Sequence, residues 1–478
     1  MTELRIDYQR MKKKVLLINS NYFDNVYGKS MHRAVLPRGI PVLGLACIAA
    51  PLAKAGYSIT ILDLNLYNNP KEVLTARLKE LKPDVIGLTA TTAVVHKIVD
   101  IAETVRNIVP TATIVAGGPH PTAVPDDLLK SSHIDIVVSG EGDRVFESIV
   151  ESQNLKDIPN IYYKDNGDIV HSSILGEGIE DLDALEFPAY FLYDIHKYTA
   201  SKIFARKSPL AFMETSRGCY SHCVYCNKNI HGYRLRQKSS KRVVDEMEYL
   251  LKLGFNEIHI IDDVFTADMK RAYEICEEIL RRGLKFPWYP RGGIRVDRVN
   301  KELLRIMKKS GCYRIPFGIE SGSQRVIDAI KKRITLAQAE NAVRLSKEAG
   351  LEVECYFMIG LPTETENDIL SSISFARKLD PDYVKFAITL PFPGTEMFDE
   401  MVKSNRIKSF NWPDYNFSAP HNVYEHDTLN WKQIEYFYAK CHRDFYLRPG
   451  YLIKSFCRSI KNGQFTTHLK AFLRTRWF

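Results

Sequence analysis

The sequence predicts an α/β chain in three parts: a doubly wound parallel sheet, a partial barrel, and a helical tail. Three observations predict it. Short apolar runs alternate with helical periodicity from residue 15 to residue 140. A second series, of six such units, runs from residue 210 to residue 390. From about residue 411 the strand–helix rhythm ends, and basic, aromatic-rich sequence finishes the chain.

In the first series the strand candidates are VLLIN (15–19), ITILDL (59–64), VIGLTA (85–90), TIVAGG (113–118) and IDIVVSG (134–140). Helical patterns at 43–55, 70–81, 93–109 and 125–131 separate them. Continuous β-branched runs between helices indicate a parallel sheet buried on both faces. The expectation is a flavodoxin-like domain over 11–150. Residues 151–205 are weakly periodic and read as a linker carrying a small hairpin around Asn166-Gly167, a favoured hairpin turn.

The second series offers strands at 210–216, 256–262, 288–296, 313–320, 351–360 and 383–390. Helices are expected at 239–253, 268–282, 300–309, 323–349 in two pieces, and 365–378. Six βα units predict a partial (β/α)6 barrel of the TIM type over 206–410, with its chemistry at the C-terminal ends of the strands. Residues 411–478 are expected to form a helical, basic extension.

The 478 residues are 45% hydrophobic and 26% charged, an ordinary globular balance for two or three domains. Nine cysteines are too few for a disulfide scaffold. Three crowd into eight residues, which reads as a metal or cluster site in a reducing, cytoplasmic setting. The N-terminus shows no apolar signal region, and the uncharged stretch 39–53 is too short to span a bilayer. Of the net charge of +9, nearly all comes from residues 440–478, which hold nine Lys or Arg and one acid, Asp444. Two readings of this tail stay open: peripheral contact with an anionic membrane or acidic substrate, or a solvated face with aromatics packed on the body.

The first strand of the second series runs into RGCYSHCVYCNKN, with Cys219, Cys223 and Cys226 spaced by four and then three residues. Thiolates select zinc or iron–sulfur clusters. A structural zinc site wants four ligands, and His222 and His231 lie close enough in sequence to offer a Cys3His alternative. The position argues against a structural staple, because the cysteines follow the first barrel strand at the catalytic mouth. Three cysteines on a four-iron cluster leave one iron open for a substrate ligand.

This C-x3-C-x2-C motif, at the end of a first barrel strand, resembles the radical S-adenosylmethionine superfamily, and the likeness extends over 206–395. The resemblance implies a 4Fe-4S cluster on the three cysteines and S-adenosylmethionine as cofactor. In IIDDVFTAD (260–268) it places Asp263 at the cofactor's amino group. In GIESGS (318–323) it places Glu320 and Ser321 at the ribose or methionine portion. YFMIGLPTET (356–365), with Gly360, matches the fifth-strand segment. LPFPGT (390–395), with Pro391, matches the sixth, near adenine, on which Tyr225 would lean. The plainer readings are that Gly318 and Gly360 permit turns, that Pro391 and Pro393 end a strand, and that Asp262 caps a helix. The chemistry implied is one-electron cleavage of a sulfur–carbon bond and abstraction of hydrogen from an unactivated C–H. The electron would come from a reductant such as flavodoxin or ferredoxin.

The strand ends of the first series read Thr89-Ala90-Thr91-Thr92, Gly117-Gly118-Pro119-His120 and Ser139-Gly140-Glu141-Gly142. Small residues there either admit a large flat ligand, with N–H donors for a phosphate, or merely make tight turns. IPVLGLACIAAPLAKAGYSITILDL, IVAGGPHPTAVP and IVVSGEGD resemble the cobalamin-binding domain that precedes the barrel in cobalamin-dependent radical enzymes. The resemblance implies cobalamin contacts from Leu43, Gly44, Thr89, Thr91, Gly117, Gly118, Ser139, Gly140, Glu141 and Gly142. In NSNYFDNVYG, Asp24 and Gly28 resemble part of a cobalt-ligating motif, but Val26 stands where its histidine would be. Base-off cobalamin without a protein histidine is therefore implied.

The expected reaction is methylation of an unactivated carbon in a hydrophobic or natural-product substrate. The alternative is cyclisation or rearrangement in tetrapyrrole or lipid metabolism, since RDFYLRPGYLIKSF resembles the ends of such relatives. RNA methylthiolation is the remote reading, and nucleic acid is not an expected partner: that chemistry needs further N-terminal cysteines, and only Cys47 is present. His222, His231, Tyr233, Cys276, Cys312, Cys355 and Cys441 remain candidates to line the substrate site.

Overall fold

The computed structural model describes residues 12–20, 39–131, 133–152, 154–172, 178–416 and 420–474. All five expected strands of the first series form: β1 (Lys14–Asn19), β2 (Ser58–Asp63), β3 (Val85–Thr89), β4 (Thr113–Gly117) and β5 (Ile136–Val138). They pair in parallel in the order β2-β1-β3-β4-β5. The strand order reverses between β1 and β3, and that crevice is where such sheets receive ligands. Gly87 shows how tightly the faces are covered. A Cβ there would lie 2.6 Å from the Leu17 side chain and 3.1 Å from Phe146.

The reading of 151–205 as a linker needs correction. The hairpin β6 (Ile161–Asp165) and β7 (Asp168–His171) does turn at Asn166 and Gly167, both with positive φ. However, β6 pairs antiparallel with β5 and extends the sheet to seven strands, so this unit continues to residue 172. Segment 178–205 is packed as well. Tyr190 and Tyr193 are buried, and their hydroxyls donate to Phe212 O (2.6 Å) and Val42 O (3.0 Å), one on each side of the junction.

The barrel has six parallel strands in two sets. β8 (Leu210–Met213), β11 (Glu257–Ile260) and β12 (Trp288–Tyr289) pair in the order β12-β11-β8, and β13 (Arg314–Glu320), β14 (Glu352–Ile359) and β15 (Tyr383–Ile388) pair in sequence order. Bridges Trp288↔Cys312 and Ile294↔Phe317 join the sets. The expected strand 288–296 is mostly lost. Its glycines cross the neighbouring strand end, where a Cβ on Gly292 would lie 2.1 Å from Asp262 O. A two-residue antiparallel pair, β9 (Ser216–Arg217) with β10 (Arg236–Gln237), brackets the cysteine loop.

The tail is helical only from Trp431, in helices Trp431–Tyr446, Pro449–Lys461 and Phe465–Arg474. Residues 411–416 and 420–430 instead fold over the barrel mouth. Tyr415, Val423 and Tyr424 are buried there with Val224, Leu361, Leu390 and Met397. No helix among the described residues is long and apolar enough to cross a membrane.

Candidate functional site

The cysteine loop starts with a glycine that no other residue could replace without rearrangement. Gly218 has φ +85°, and a Cβ on it would lie 2.2 Å from Arg234 O. The loop is then pinned through its backbone. Cys219 N donates to Gly232 O (3.3 Å), Val224 N to Ile330 O (3.2 Å), and Met397 N to Val224 O (2.9 Å). Asn227 Nδ2 donates to Pro393 O (3.1 Å), so the loop after β15 docks on the loop after β8. All three cysteines are free thiols, Cys219 buried and the others half-buried.

Among the described residues the zinc alternative finds no fourth ligand. The His222 ring stacks on Tyr233 at 4.5 Å, and His231 Nδ1 is 3.0 Å from Glu141 Oε1. No three His, Cys, Asp or Glu among the described residues are grouped to hold a single ion. A three-thiol set without a fourth protein ligand fits a cluster with one open iron. The surroundings also suit an anionic cluster. Burial raises the Cys226 thiol, and Lys228 pulls it back. Burial alone would lower Lys228, but Cys226, Asp263 and Cys219 outweigh it and hold the ammonium above the usual lysine range.

The strand-end residues separate into two groups. Asp263 is exposed at the mouth, in the field of Cys226 and Lys228. Glu320 ends β13 at φ +70° beside a register shift. Lys332 Nζ donates to Glu320 Oε1 (2.7 Å) and to the Tyr225 hydroxyl (3.3 Å). Arg295 joins the same group, donating to Ser221 Oγ (3.0 Å) and to the carbonyls of Lys332 and Arg333. These form one cluster around the cysteines.

Others are committed elsewhere. Ser321 is fully buried, its hydroxyl 3.2 Å from Ser372 Oγ and accepting from Ser323 N. It ties this loop to the helix Glu366–Leu379. Gly360 (φ +78°) makes a turn, its N–H donating to Glu364 Oε2 at 2.7 Å. Pro391 is buried after β15. Asp262 does not cap a helix: it accepts from Thr215 N and from the hydroxyls of Thr215 and Ser216, tying the end of β11 to that of β8. The cap is Asp268, accepting from Arg271 N. Cys276, Cys312, Cys355 and Cys441 are buried in the core.

In the N-terminal domain, no described residue beyond Gly44's chain neighbours and own helix backbone comes within 4 Å of a would-be Cβ on it, and Leu43 next to it is buried. Gly117 ends β4, and Gly118 (φ +100°) lies so close to Thr89 that a Cβ would sit 2.7 Å from its hydroxyl. The Thr91 hydroxyl is buried with no partner among the described residues. Small residues, an open approach and an orphaned hydroxyl fit a large flat ligand held at backbone distance. His120 is fully buried, Nδ1 3.2 Å from Thr92 Oγ1, its ring against Trp412, and burial pushes its pKa down to about 4. Asp24, Val26 and Gly28 lie outside the described residues.

The Ser139–Gly142 loop faces the barrel. Ser139 N donates to Asn160 O, and Gly140 N to Thr122 Oγ1. A Cβ on Gly140 would be 3.8 Å from Ile230 O in the cysteine region, and one on Gly142 3.5 Å from Ile48. A Cβ on Gly394, after β15, would be 3.2 Å from Ala123.

Glu141 departs from its expected role. Its carboxylate accepts from Arg236, Arg217, Ile179 N and His231. Arg217 also holds both oxygens of Asp143 at 3.0 Å and pairs with Glu214. Burial would raise the Glu141 pKa, but His231, Arg236 and Arg217 outweigh it and hold the group well below the usual carboxylate range. This buried ion cluster joins the two domains two residues before Cys219. Sequence reasoning missed Arg217, Arg295, Lys228 and Lys332. Their only signal was a cation near a cysteine or glycine motif, and Lys331-Lys332-Arg333 reads as a solvated run.

Fold and site together define a radical enzyme barrel behind a cofactor-binding α/β domain. Residues 32–150 match the B12 binding domain family and residues 213–376 the radical SAM superfamily. An uncharacterised methyltransferase of Pyrococcus horikoshii is 34% identical, covering 87% of this chain and 89% of that protein. Cytidylyl-2-hydroxyethylphosphonate methyltransferase of Streptomyces wedmorensis is 30% identical over 92% of this chain and 91% of its own length. The solved structure of the cobalamin-dependent S-adenosylmethionine radical enzyme OxsB superposes with a TM-score of 0.75 at 17% identity, covering 97% of this chain and 72% of that one. The chain belongs to the family of cobalamin-binding radical S-adenosylmethionine enzymes. Cobalamin, S-adenosylmethionine and a 4Fe-4S cluster are the cofactors of that family.

Proposed function

We propose that this enzyme transfers a methyl group to an unactivated carbon of a small, largely apolar substrate. The observation that carries the reading is the meeting of the two cofactor faces. In the N-terminal domain Gly140 abuts the cysteine region at Ile230, and Ala123 abuts Gly394 in the loop after β15. A methyl carrier and a radical source on those faces would share one cavity. When bound, the cluster would supply one electron for cleavage of a sulfur–carbon bond, and cobalamin would carry the methyl group.

The chain's own residues then bind and orient. Cys219, Cys223 and Cys226 hold the cluster. Asp263 and Glu320, the latter fixed by Lys332, contact S-adenosylmethionine, with Tyr225 against its adenine. Gly44, Thr89, Thr91, Gly117, Gly118 and Gly140 form the bed for cobalamin. Residues 420–430 and the loop after β15 cover the mouth and exclude water.

The test is anaerobic reconstitution with methyl-deuterated S-adenosylmethionine and a low-potential reductant, followed by mass spectrometry. Labelled methyl on cobalamin, with both S-adenosylhomocysteine and 5′-deoxyadenosine formed, is expected. Changing any of Cys219, Cys223 or Cys226 to Ala should abolish 5′-deoxyadenosine. Formation of 5′-deoxyadenosine with no methyl reaching cobalamin would overturn methylation in favour of cyclisation or rearrangement.

A further inference from the structure

The helix before the last is built inside out. Helix Pro449–Lys461 turns its polar side toward the barrel. Arg458 pairs with Asp382 at 2.5 Å, Lys454 with Asp380 at 2.5 Å, and the Tyr451 hydroxyl donates to Asp382 O at 2.8 Å. Just past its end, Asn462 Nδ2 donates to Glu352 Oε1. The opposite face is apolar and exposed: Leu452, Ile453, Phe456 and Ile460 fall one and two turns apart, with Ile453 66% and Ile460 55% exposed. Helix Phe465–Arg474 likewise exposes apolar side chains, Phe465, Leu469, Phe472 and Leu473, the last 72% exposed. Phe456 and Phe465 meet edge to face at 5.4 Å, so the two stripes form one surface. An ordinary surface helix places these faces the other way round, and an apolar patch of this kind on a folded chain marks an interaction site.

We propose that this helical hairpin docks the enzyme on the surface of an anionic lipid bilayer. Charge selects the occupant. Residues 449–474 contain five Lys or Arg and no acid. Lys461 and Lys470 are exposed and form no ion pair among the described residues. A second copy of this chain would meet the same surface through a symmetric interface, placing basic hairpin against basic hairpin. An anionic bilayer instead accepts the apolar stripe among its acyl chains and the lysines among its headgroups. The helices are about 20 and 15 Å long, too short to span a hydrocarbon core of about 30 Å, so they lie in the interfacial plane. The inference concerns docking and is independent of the methyl-transfer reading.

The test is flotation of the full-length protein with vesicles of neutral phosphatidylcholine, or of phosphatidylcholine with about 30% phosphatidylglycerol, the anionic share that gives a surface potential. Flotation with the anionic vesicles only is expected, weakening steeply between about 0.1 and 0.5 M salt. Lys461→Glu with Lys470→Glu should weaken it by about tenfold or more. The triple change Ile453→Ser, Phe456→Ser, Ile460→Ser should abolish it while the circular-dichroism spectrum stays that of the folded chain, because all three side chains are more than half exposed. Equal flotation with neutral vesicles, or no loss in either variant, overturns the proposal. A concentration-dependent dimer that the triple change dissociates, without vesicle binding, assigns the surface to a second copy and also overturns it.

Discussion

Glu141 and Glu320 are both buried glutamates in glycine-containing loops at the C-terminal ends of parallel strands, and the sequence offers both as cofactor contacts. The structure gives them opposite surroundings. Glu141 is filled by two arginines, a histidine and a backbone N–H, and lies between domains. Glu320 has one cation, Lys332, which it shares with Tyr225 beside the cysteines. A carboxylate whose lone pairs are all engaged by protein is a structural tie. One with unused acceptor capacity next to a mouth remains able to bind a ligand.

The largest effect expected is on the interdomain tie. Arg217→Met leaves Glu141 and Asp143 buried beside the domain junction with fewer cations, which costs about 3–5 kcal/mol. It should lower the melting temperature and separate the unfolding of the two domains in calorimetry. The companion Glu141→Gln should lower stability less and leave cobalamin affinity unchanged. A tenfold loss of cobalamin affinity at constant melting temperature would return Glu141 to the cofactor and erase the contrast.

Lys332→Met should act the other way round. It frees Glu320 and Tyr225, and equilibrium dialysis should show S-adenosylmethionine binding weakened by about tenfold, from a lost contact network of about 1–2 kcal/mol. Lys332→Arg should restore part of it. If Lys332→Met lowers stability instead and binding stays constant, Glu320 is a tie like Glu141.

A pH-dependent effect concerns a third glutamate, which forms no ion pair among the described residues. Glu364 accepts from Gly360 N and Leu361 N, while its other oxygen is buried with no partner among the described residues. Burial pushes its pKa up to about 8. The folded state therefore binds a proton that the unfolded state has released, and stability is highest below the unfolded value. It is lost as pH rises toward about 8. Glu364→Gln should flatten that slope, so melting temperatures of parent and variant at pH 5.5, 7 and 8.5 should converge in acid and diverge in base. A constant difference across pH would mean that Glu364 is ionised throughout.

The sequence by itself determined what is encoded in near neighbours: apolar runs that become parallel strands, an Asn-Gly turn, and three cysteines whose spacing places them on one loop after a strand. These rest on backbone preference and on periodicity, both carried by a few consecutive residues. Only the tertiary structure decided which groups meet across long separations. It alone placed the Asn166-Gly167 hairpin in the sheet, turned Ser321 toward Ser372 and Glu141 toward Arg217, and brought Lys332 to Tyr225. It also set the tail helices with their charges inward, where Asp380 and Asp382 await Lys454 and Arg458. The amphipathic period of that tail is legible in sequence, but which face turns inward is not. That depends on the charge of the surface the helix lands on, and those acids lie some seventy residues away.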